Sequence, residues 1–571
     1  MAYNVLGINP GHNGSAAIVS DGKLVFYLEE ERLSRLKYDA QPFRVILEHA
    51  LKYKIDRVVI GGTNDPKEHV RLPYSKTKLY HTFINKFFTK NIPIYDEAYK
   101  THHLLHGLSS YLNSNFNESI ILVLDGAGSF QTMQENHYQV AKGWETESIF
   151  YVDSNNNFNT IYKKYGRNDP FNKTTSSNNI FIDDSLGITK VYEAVTKELG
   201  WLALEAGKTM GLSPYGKHNP DIPTLIKNGI GNKNLFTTDY PGGGDLHNKE
   251  EWLKESRYFS NKFHKNPDKL HQNQADLAWK VQKETQEEVL KLVKKSIELT
   301  NVKNVCISGG FGLNCVNNYY LKKNLPDINF HIDPMSNDGG TAIGAAYYGW
   351  LNYSKDLSSN TISNIYFGPK YSLKKYKNAI KNYNEMFNSQ KITPKEVAKL
   401  ISERNIVTIF QGRSEAGPRA LGNRSILYDP TDPNGKDFVN KVKKREWFRP
   451  FAGTVLLEKA HEYFDMAGLE ESPFMMYAMD VWPDKQEIIK AITHVDGTCR
   501  IQTVTKEQNL HYYKLIQEFE KITGVPILFN TSFNLAGDPL VETIEDALET
   551  LLKSDIKYMY VPELELLLEK K

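Results

Sequence analysis

Two strand-forming runs in this 571-residue chain each break into a glycine-rich turn carrying a polar residue: LGINPGHNGS, with His12, and LVLDGAGS, with Asp125. A strand that stops at such a turn delivers its last side chains to one end of a sheet, so the recurrence predicts two related halves. The first run is followed by Asp21-Gly22 between β-rich segments, which predicts a two-residue hairpin. Helices are expected over 42–53, 100–113 and 270–300, and a strand over 56–61. Further on, NVCISGG, FGLN, CVNNYYLKKN, NFHIDP, MSNDGG and TAIGAAYYGW repeat the order strand, glycine turn, helix, the grammar of α/β nucleotide-binding domains.

A chain of this length exceeds what one core supports. The pattern loosens at NYSKDLSSNTISN, so residues 1–352 are read as one domain, 353–392 as a junction and 393–571 as a second α/β domain, with Pro394 near a helix start. The doubled turn resembles the actin-like/sugar-kinase architecture, in which paired hairpins flank a phosphate cleft.

The charge balance excludes some classes. With 70 basic and 68 acidic residues, there is no general field for nucleic acid or membrane, although a local basic face remains open. Cys306, Cys315 and Cys499 form neither a disulfide framework nor a zinc cage. The N-terminus reads as a strand and turn rather than a targeting segment, and no apolar run approaches the ~18–20 residues of a spanning helix. A cytoplasmic protein without membrane contact is expected.

On a helix, His102 and His106 of KTHHLLHGLSS stand at i and i+4 and share a face. With Asp125 at a strand end and Asp338 in SNDGG, they form a metal half-site completed by carboxylates, suited to iron(II), manganese or zinc. The alternative is a solvated helix face. His12 on its turn reads as a phosphate- or carbonyl-facing imidazole, or as an ordinary turn histidine. EEERLSR is more often a solvated charge run than a site, yet it ends a strand and holds Glu29, Glu30 and Arg32 close to the same turn. The loops EAGKTMGLSPYGK and ISGGFGLNCVNN, with Lys208, Gly309, Gly310 and Asn314, allow close approach of a nucleotide. The later part of the chain adds Arg413, Arg419 and Arg424, then Lys443, Arg445 and Arg449, then Arg500, and Asn530 and Ser532 in FNTSFNLAGDP. Guanidinium forks spaced through Gly/Pro-rich loops suit phosphate and carbonyl oxygens. A basic surface for nucleic acid is the alternative, set below the anion-site reading because the arginines are interleaved with Pro, Gly and apolar residues rather than clustered on one helix.

GHNGSAA, EEERLSRLKYD, HHLLHG, LDGAG, EAGKTMGLSPYG, GGFGLNCVNN, NDGGTAIGAA, GRSEAGPRALGNRSIL, KKREWFRPFAG, DGTCRIQTV and FNTSFNLAGDP occur in the order found in the NodU/CmcH/TobZ O-carbamoyltransferases. The chain resembles that family from about residue 4 to 545. The resemblance implies an actin-like, threonylcarbamoyl-transferase-like first domain and a YrdC-like second domain. The second would make carbamoyl adenylate from carbamoyl phosphate and ATP, residues 393–571 sufficing, with Mg(2+) as a companion of the nucleotide. The first would pass the carbamoyl group to a hydroxyl-bearing acceptor. It further implies iron, Fe(2+), on His102, His106, Asp125 and Asp338, an active-site role for His12, and anion binding by Arg419, Lys443, Arg449, Arg500, Asn530 and Ser532. Two departures stand out: Lys37-Tyr38-Asp39 where many members have KHD, and Ala416 where Phe is usual. Tyr38 lies in the half that meets the acceptor, so the acceptor does not carry over. Two other readings stay open: an acceptor hydroxyl on a nucleotide or modified nucleobase, and a nucleotide-responsive actin-like binding module with a structural metal. Oligomeric state is not legible.

Overall fold

The computed structural model describes residues 2–63, 76–88, 91–96, 101–135, 138–155, 157–170, 180–246, 272–356 and 358–571. Strand β1 (Asn4–Asn9) returns through the PGHNG turn as β2 (Ser15–Ser20), antiparallel, with Asn9 opposite Ser15. Asp21 and Gly22 take φ of 45° and 78°, the paired positive torsions of a type I′ turn. That turn delivers β3 (Lys23–Glu29), so the Asp-Gly hairpin is present. Strand β4 (Arg57–Ile60) lies parallel to β1, and β5 (Ile94–Tyr95) parallel to β4, giving the order β3-β2-β1-β4-β5.

The second sheet repeats this plan. It contains β6 (Ser119–Leu124), β7 (Phe130–Glu135), β8 (Tyr138–Val152), β9 (Phe158–Gly166) and β10 (Ile180–Asp183). Two short hairpins follow, β11 (Ile226–Lys227) with β12 (Ile230–Gly231) and β13 (Phe236–Thr237) with β14 (Asp245–Leu246). The sheet is completed by β15 (Asn304–Ser308) and β16 (Asn329–Ile332). Its central order is β9-β8-β6-β15-β16, again an antiparallel meander followed by two parallel strands. The α/β class and the two related halves expected of an actin-like, sugar-kinase-like domain are both there. Asp125 follows β6 as the His12 turn follows β1.

Two helices join the halves. Thr341–Ser354 packs on β1, β2 and β4 and against the helix His102–Leu112, which packs in turn on β6 and β15. Where the helices cross, a Cβ on Gly344 would lie 1.9 Å from the Leu105 carbonyl oxygen, so only glycine permits that approach. The other expected helices appear as Phe43–Glu48 with a 3₁₀ turn at Ala50–Lys52, and as Gln272–Thr300. Lys100, Leu270 and His271, at the ends of expected helices, lie outside the described residues.

The chain divides into two units, one of Met1–Glu30 and Asp39–Ile362, the other of Glu31–Tyr38 and Ser363–Lys571. The second is built on nine strands: β17 (Phe387–Lys391), β18 (Val407–Phe410), β19 (Arg424–Tyr428), β20 (Ala452–Leu456), β21 (Ala478–Asp480), β22 (Thr498–Val504), β23 (Ile527–Ser532), β24 (Tyr558–Val561) and β25 (Leu566–Lys570). Their order is β17-β25-β24-β18-β19-β23-β20-β22-β21. β17 and the helix Leu373–Asn382 come from the span read as a junction. Pro394 opens the helix Pro394–Ser402, where Thr393 and Glu396 close a reciprocal capping box.

EEERLSR, expected to be solvated, is instead buried at Glu29, Glu30, Glu31 and Arg32. In the first unit Glu30 accepts the Val45 N–H at 3.0 Å. In the second unit Arg32 donates to the Gly417 carbonyl at 2.7 Å, and Arg35 to those of Leu540 and Pro539 at 2.7 and 2.8 Å. Charged residues can be buried here because backbone groups satisfy them. The second unit therefore holds Glu31–Tyr38 as well as the later part of the chain, so Tyr38, expected in the half that meets the acceptor, belongs to the other unit.

Candidate metal centre and anion site

Within the first unit, His102 and His106 project from one buried helix face and are fully buried, so the solvated-face reading fails. Their Nε2 atoms lie 3.2 Å apart. The His102 Nε2 is also 3.2 Å from Asp125 Oδ2, and both Nε2 atoms are 3.9 Å from Asp338 Oδ1. One potential ligand atom from each of the four residues falls within 4.8 Å of the others. Asp125 reaches the cluster from the end of β6, where its Oδ1 accepts the Gly310 N–H at 3.1 Å. Gly309 before it sits at φ 84°, and a Cβ there would lie 2.2 Å from the Leu124 carbonyl oxygen. Asp338 opens the 3₁₀ turn that leads into Thr341–Ser354. The four residues thus come from one of the crossing helices, the turn that leads into the other, and the end of β6.

Burial works against charge on His102, but the Asp338 and Asp125 carboxylates outweigh it and raise the ring to about 9. His106 is lowered to about 4, first by burial and then by His102. Asp125 is held well below the carboxylate range: its burial is overcome by the hydrogen bond to His102 and by the neighbouring rings. Two imidazole nitrogens facing each other beside two buried carboxylates fit a divalent cation, which would balance the charge and use both lone pairs. The third histidine of the run, His103, faces elsewhere: its Nδ1 is 2.8 Å from Ser148 Oγ, and burial lowers it to about 3. It is a core histidine.

His12 joins the cluster, its Nε2 3.1 Å from Asp338 Oδ2, with its side chain about half exposed at 48%. Sequence reasoning missed what holds it there. Asn9 donates from Nδ2 to the carbonyls of His12 and Asn13 at 3.1 and 3.2 Å and accepts the Gly11 N–H at 3.1 Å. An asparagine just ahead of Pro-Gly was the available cue. Asn314 caps the helix Cys315–Asn324 by accepting the Asn317 N–H, and donates to Gln282 at 3.0 Å. Lys208 pairs with Glu205 at 2.7 Å.

The second unit holds the basic residues. Lys443, at the end of the helix Gly435–Val442, is buried and donates to the Ser532 carbonyl and to Asn534 Oδ1. Burial, then Arg445 and Arg449, push its amine well below the usual ammonium range. Arg445 is lowered by burial and Arg449, with Glu446 opposing and Arg500 adding to the repulsion. Arg449 pairs with Glu446 at 3.8 Å. Arg500 stands on β22 opposite Ala452 and Ala478, and its Nε is buried without a hydrogen-bond partner among the described residues. Neighbouring guanidinium groups disfavour the charged forms of both Lys443 and Arg445, so a bound anion would relieve the repulsion.

Asn530 donates to the Ala420 carbonyl at 3.2 Å and to Thr454 Oγ1 at 2.9 Å, and so ties the Arg419 loop to β23. Glu415 organises the same loop: its Oε1 accepts the N–H groups of Leu421, Asn423 and Arg424 at 2.8, 2.8 and 3.2 Å. Arg413 and Arg424 serve the scaffold. Arg413 donates to the Gly368 and Phe367 carbonyls at 2.5 and 2.6 Å, and Arg424 is fully buried over the Phe410 ring. Sequence spacing could not separate these scaffold arginines from the clustered ones.

The family model for the carbamoyltransferase N-terminus matches residues 44–347, and that for the carbamoyltransferase C-terminus matches residues 398–568. An uncharacterized protein of Synechocystis sp. is 30% identical over 97% of this chain and 95% of its own length. Nodulation protein NolNO of Sinorhizobium fredii is 29% identical over 96% of this chain and 78% of its own. Among solved structures, full-length HypF in its phosphate- and nucleotide-bound form is 13% identical with a TM-score of 0.36, covering 62% of this chain and 47% of that one. That likeness is too slight to bear on the reading. No helix among the described residues is long and apolar enough to cross a membrane.

Proposed function

The chain belongs to the carbamoyltransferase family and is an enzyme that transfers carbamoyl groups, and from that premise we propose an ATP-dependent O-carbamoyltransferase. In this reading the second unit hydrolyses carbamoyl phosphate to carbamate and phosphate, and the carbamate oxygen then attacks the α-phosphorus of ATP, with Mg(2+), to give carbamoyl adenylate and pyrophosphate; the first unit passes the carbamoyl group to a hydroxyl of a small-molecule acceptor, and AMP leaves. The observation that most supports it is the presence of two chemically opposite centres. One is acidic and imidazole-lined around His102, His106, Asp125 and Asp338; the other is cationic around Lys443, Arg445, Arg449 and Arg500.

Carbamate is a poor electrophile, and adenylation gives it a good leaving group. Lys443, Arg449 and Arg500, with Arg419 on its tethered loop, would bind the phosphate oxygens and balance charge as it develops. Asn530 has its Oδ1 buried without a hydrogen-bond partner among the described residues, an acceptor that suits the carbamoyl amide. Ser532 lies beside Lys443. In the first unit, His102, His106, Asp125 and Asp338 would hold a divalent transition metal, iron(II) by the family resemblance. Bound there, it would supply a Lewis acid for a carbonyl or phosphoryl oxygen. An ionised Asp338 accepts only, so it takes the Nε2–H of His12 and leaves the Nδ1 lone pair as the base for the acceptor hydroxyl proton.

The test supplies the full chain with ATP, carbamoyl phosphate and a panel of alcohols that includes nucleosides, and follows pyrophosphate and carbamoylated product. Pyrophosphate release with a product gaining one carbamoyl group is expected. His12→Asn should slow transfer about 10²–10⁴-fold while pyrophosphate release continues. Loss of pyrophosphate release in His12→Asn, with transfer from supplied carbamoyl adenylate intact, would move His12 out of the transfer step.

A further inference from the structure

Asp333 directly follows β16 with its carboxylate fully buried, yet it is not one of the four clustered ligands. Burying a carboxylate is costly unless its oxygens are satisfied. Among the described residues no basic side chain pairs with it. Its Oδ1 accepts the Met335 N–H at 3.0 Å, and its Oδ2 accepts the hydroxyl of Ser308 at 3.2 Å. Ser308 is the last residue of β15, and its Oγ also lies 3.5 Å from Nδ1 of His106. A carboxylate, a hydroxyl and a metal-facing imidazole therefore stand in line inside the core.

The direction of that line follows from counting protons. A serine hydroxyl has one hydrogen to donate, and an ionised carboxylate can only accept. Ser308 must give its hydrogen to Asp333, so toward His106 it offers a lone pair. That lone pair is satisfied only if Nδ1 of His106 carries the ring proton. The neutral ring then bears its free lone pair on Nε2, the atom 3.2 Å from His102 Nε2 and 3.9 Å from Asp338 Oδ1. We propose that Asp333, acting through Ser308, is a positioning residue that fixes the tautomer of His106 and keeps its Nε2 lone pair turned into the ligand cluster. This inference rests on the reading of the four side chains as a metal site. His102 has no such relay: its Nδ1 is buried without a hydrogen-bond partner among the described residues, and its Nε2 is oriented by Asp125. The two imidazoles are therefore held differently, one through the outer nitrogen and one through the inner.

The experiment titrates the metal-free full-length protein with Co(II), following the visible absorption of the bound ion and competing it against a chelator. The wild type should bind about one equivalent. Ser308→Ala and Asp333→Asn should each weaken Co(II) about 10- to 100-fold, the usual effect of removing a ligand's outer partner. An asparagine at 333 can donate from Nδ2 to Ser308, which frees the serine hydrogen for His106 and drives the wrong tautomer. Ser308→Thr, which keeps the hydroxyl, should recover most of the affinity. Asp333 acts only through Ser308, so the double variant Ser308→Ala, Asp333→Asn should bind no more weakly than Ser308→Ala alone. A loss of fold would not give that non-additivity. If Ser308→Ala fails to fold by circular dichroism, the near-isosteric Asp333→Asn decides the matter. Wild-type affinity in a folded Ser308→Ala, or additive losses in the double variant, would overturn the relay alone. A wild type that takes up no Co(II) would overturn the metal reading and the relay together.

Discussion

Glu415→Ala tests whether the Arg419 loop is held from inside by one carboxylate. The Glu415 side chain is buried, and its Oε1 takes the N–H groups of Leu421, Asn423 and Arg424 at 2.8, 2.8 and 3.2 Å. Hydrogen bonds to a charged acceptor contribute roughly 1.5–3 kcal/mol each, and a buried donor left unpaired costs about 1–3 kcal/mol. Three such bonds set a gross loss of about 4.5–9 kcal/mol. Relief from burying the carboxylate offsets part of it, as does water entering the vacated space. A net loss of about 3 kcal/mol is expected. Glu415→Gln keeps an oxygen at the same place and should cost about 1 kcal/mol. The assay is urea unfolding followed by a probe in the second unit, beside the KM for carbamoyl phosphate. Because the loop carries Arg419, KM should rise in the alanine variant and stay near wild type in the glutamine variant. Equal unfolding midpoints for Glu415→Ala and wild type would show that the loop is held by something other than this carboxylate. A KM raised equally in both variants would show that its charge, not its position, is what matters.

Three further outcomes follow from the same geometry. Elemental analysis should find about one transition metal per chain in the wild type and none in the double variant His102→Ala, His106→Ala, since both imidazole donors of the cluster are removed; equal metal content in the two proteins would dismiss the site. Arg32→Met with Arg35→Met should destabilise the second unit by about 3 kcal/mol, because the carbonyls of Gly417, Leu540 and Pro539 lose charged donors; a second-unit urea transition at the wild-type midpoint would show that Glu31–Tyr38 is dispensable to it. His331 is lowered by burial from 6.5 to about 4, so as pH falls through that window the unfolded chain binds a proton that the folded chain refuses. Its contribution is intact above about pH 6.5 and lost progressively toward pH 4, at most about 3 kcal/mol; His331→Phe should flatten that limb of a stability–pH curve, and an unchanged slope would assign it to other groups.

What could be read in the chain, and what could not, divides along a physical line. Local grammar was legible: Asp21-Gly22 made its hairpin, Pro394 opened its helix, and the i, i+4 spacing of His102 and His106 put two imidazoles on one face, because each depends only on torsions or helical pitch. The two glycine turns announced two related halves because each marks where a sheet hands a side chain to its end. Partnership across long separations was not legible. His12 and Asp338 meet only after two helices cross at Gly344, and nothing near His12 in sequence specifies a carboxylate. The charged run misled for the same reason: EEERLSR has the composition of a solvated face, and backbone groups at Val45, Gly417, Leu540 and Pro539 let it be buried. Arginines posed the converse difficulty. Arg413 and Arg424 look like anion binders in GRSEAGPRALGNRSI, yet their forks are spent on backbone carbonyls, and only folding separates them from Arg449 and Arg500. A guanidinium is equally suited to a carbonyl and to a phosphate, so residue type fixes the chemistry it can do and the surrounding backbone decides which partner it meets.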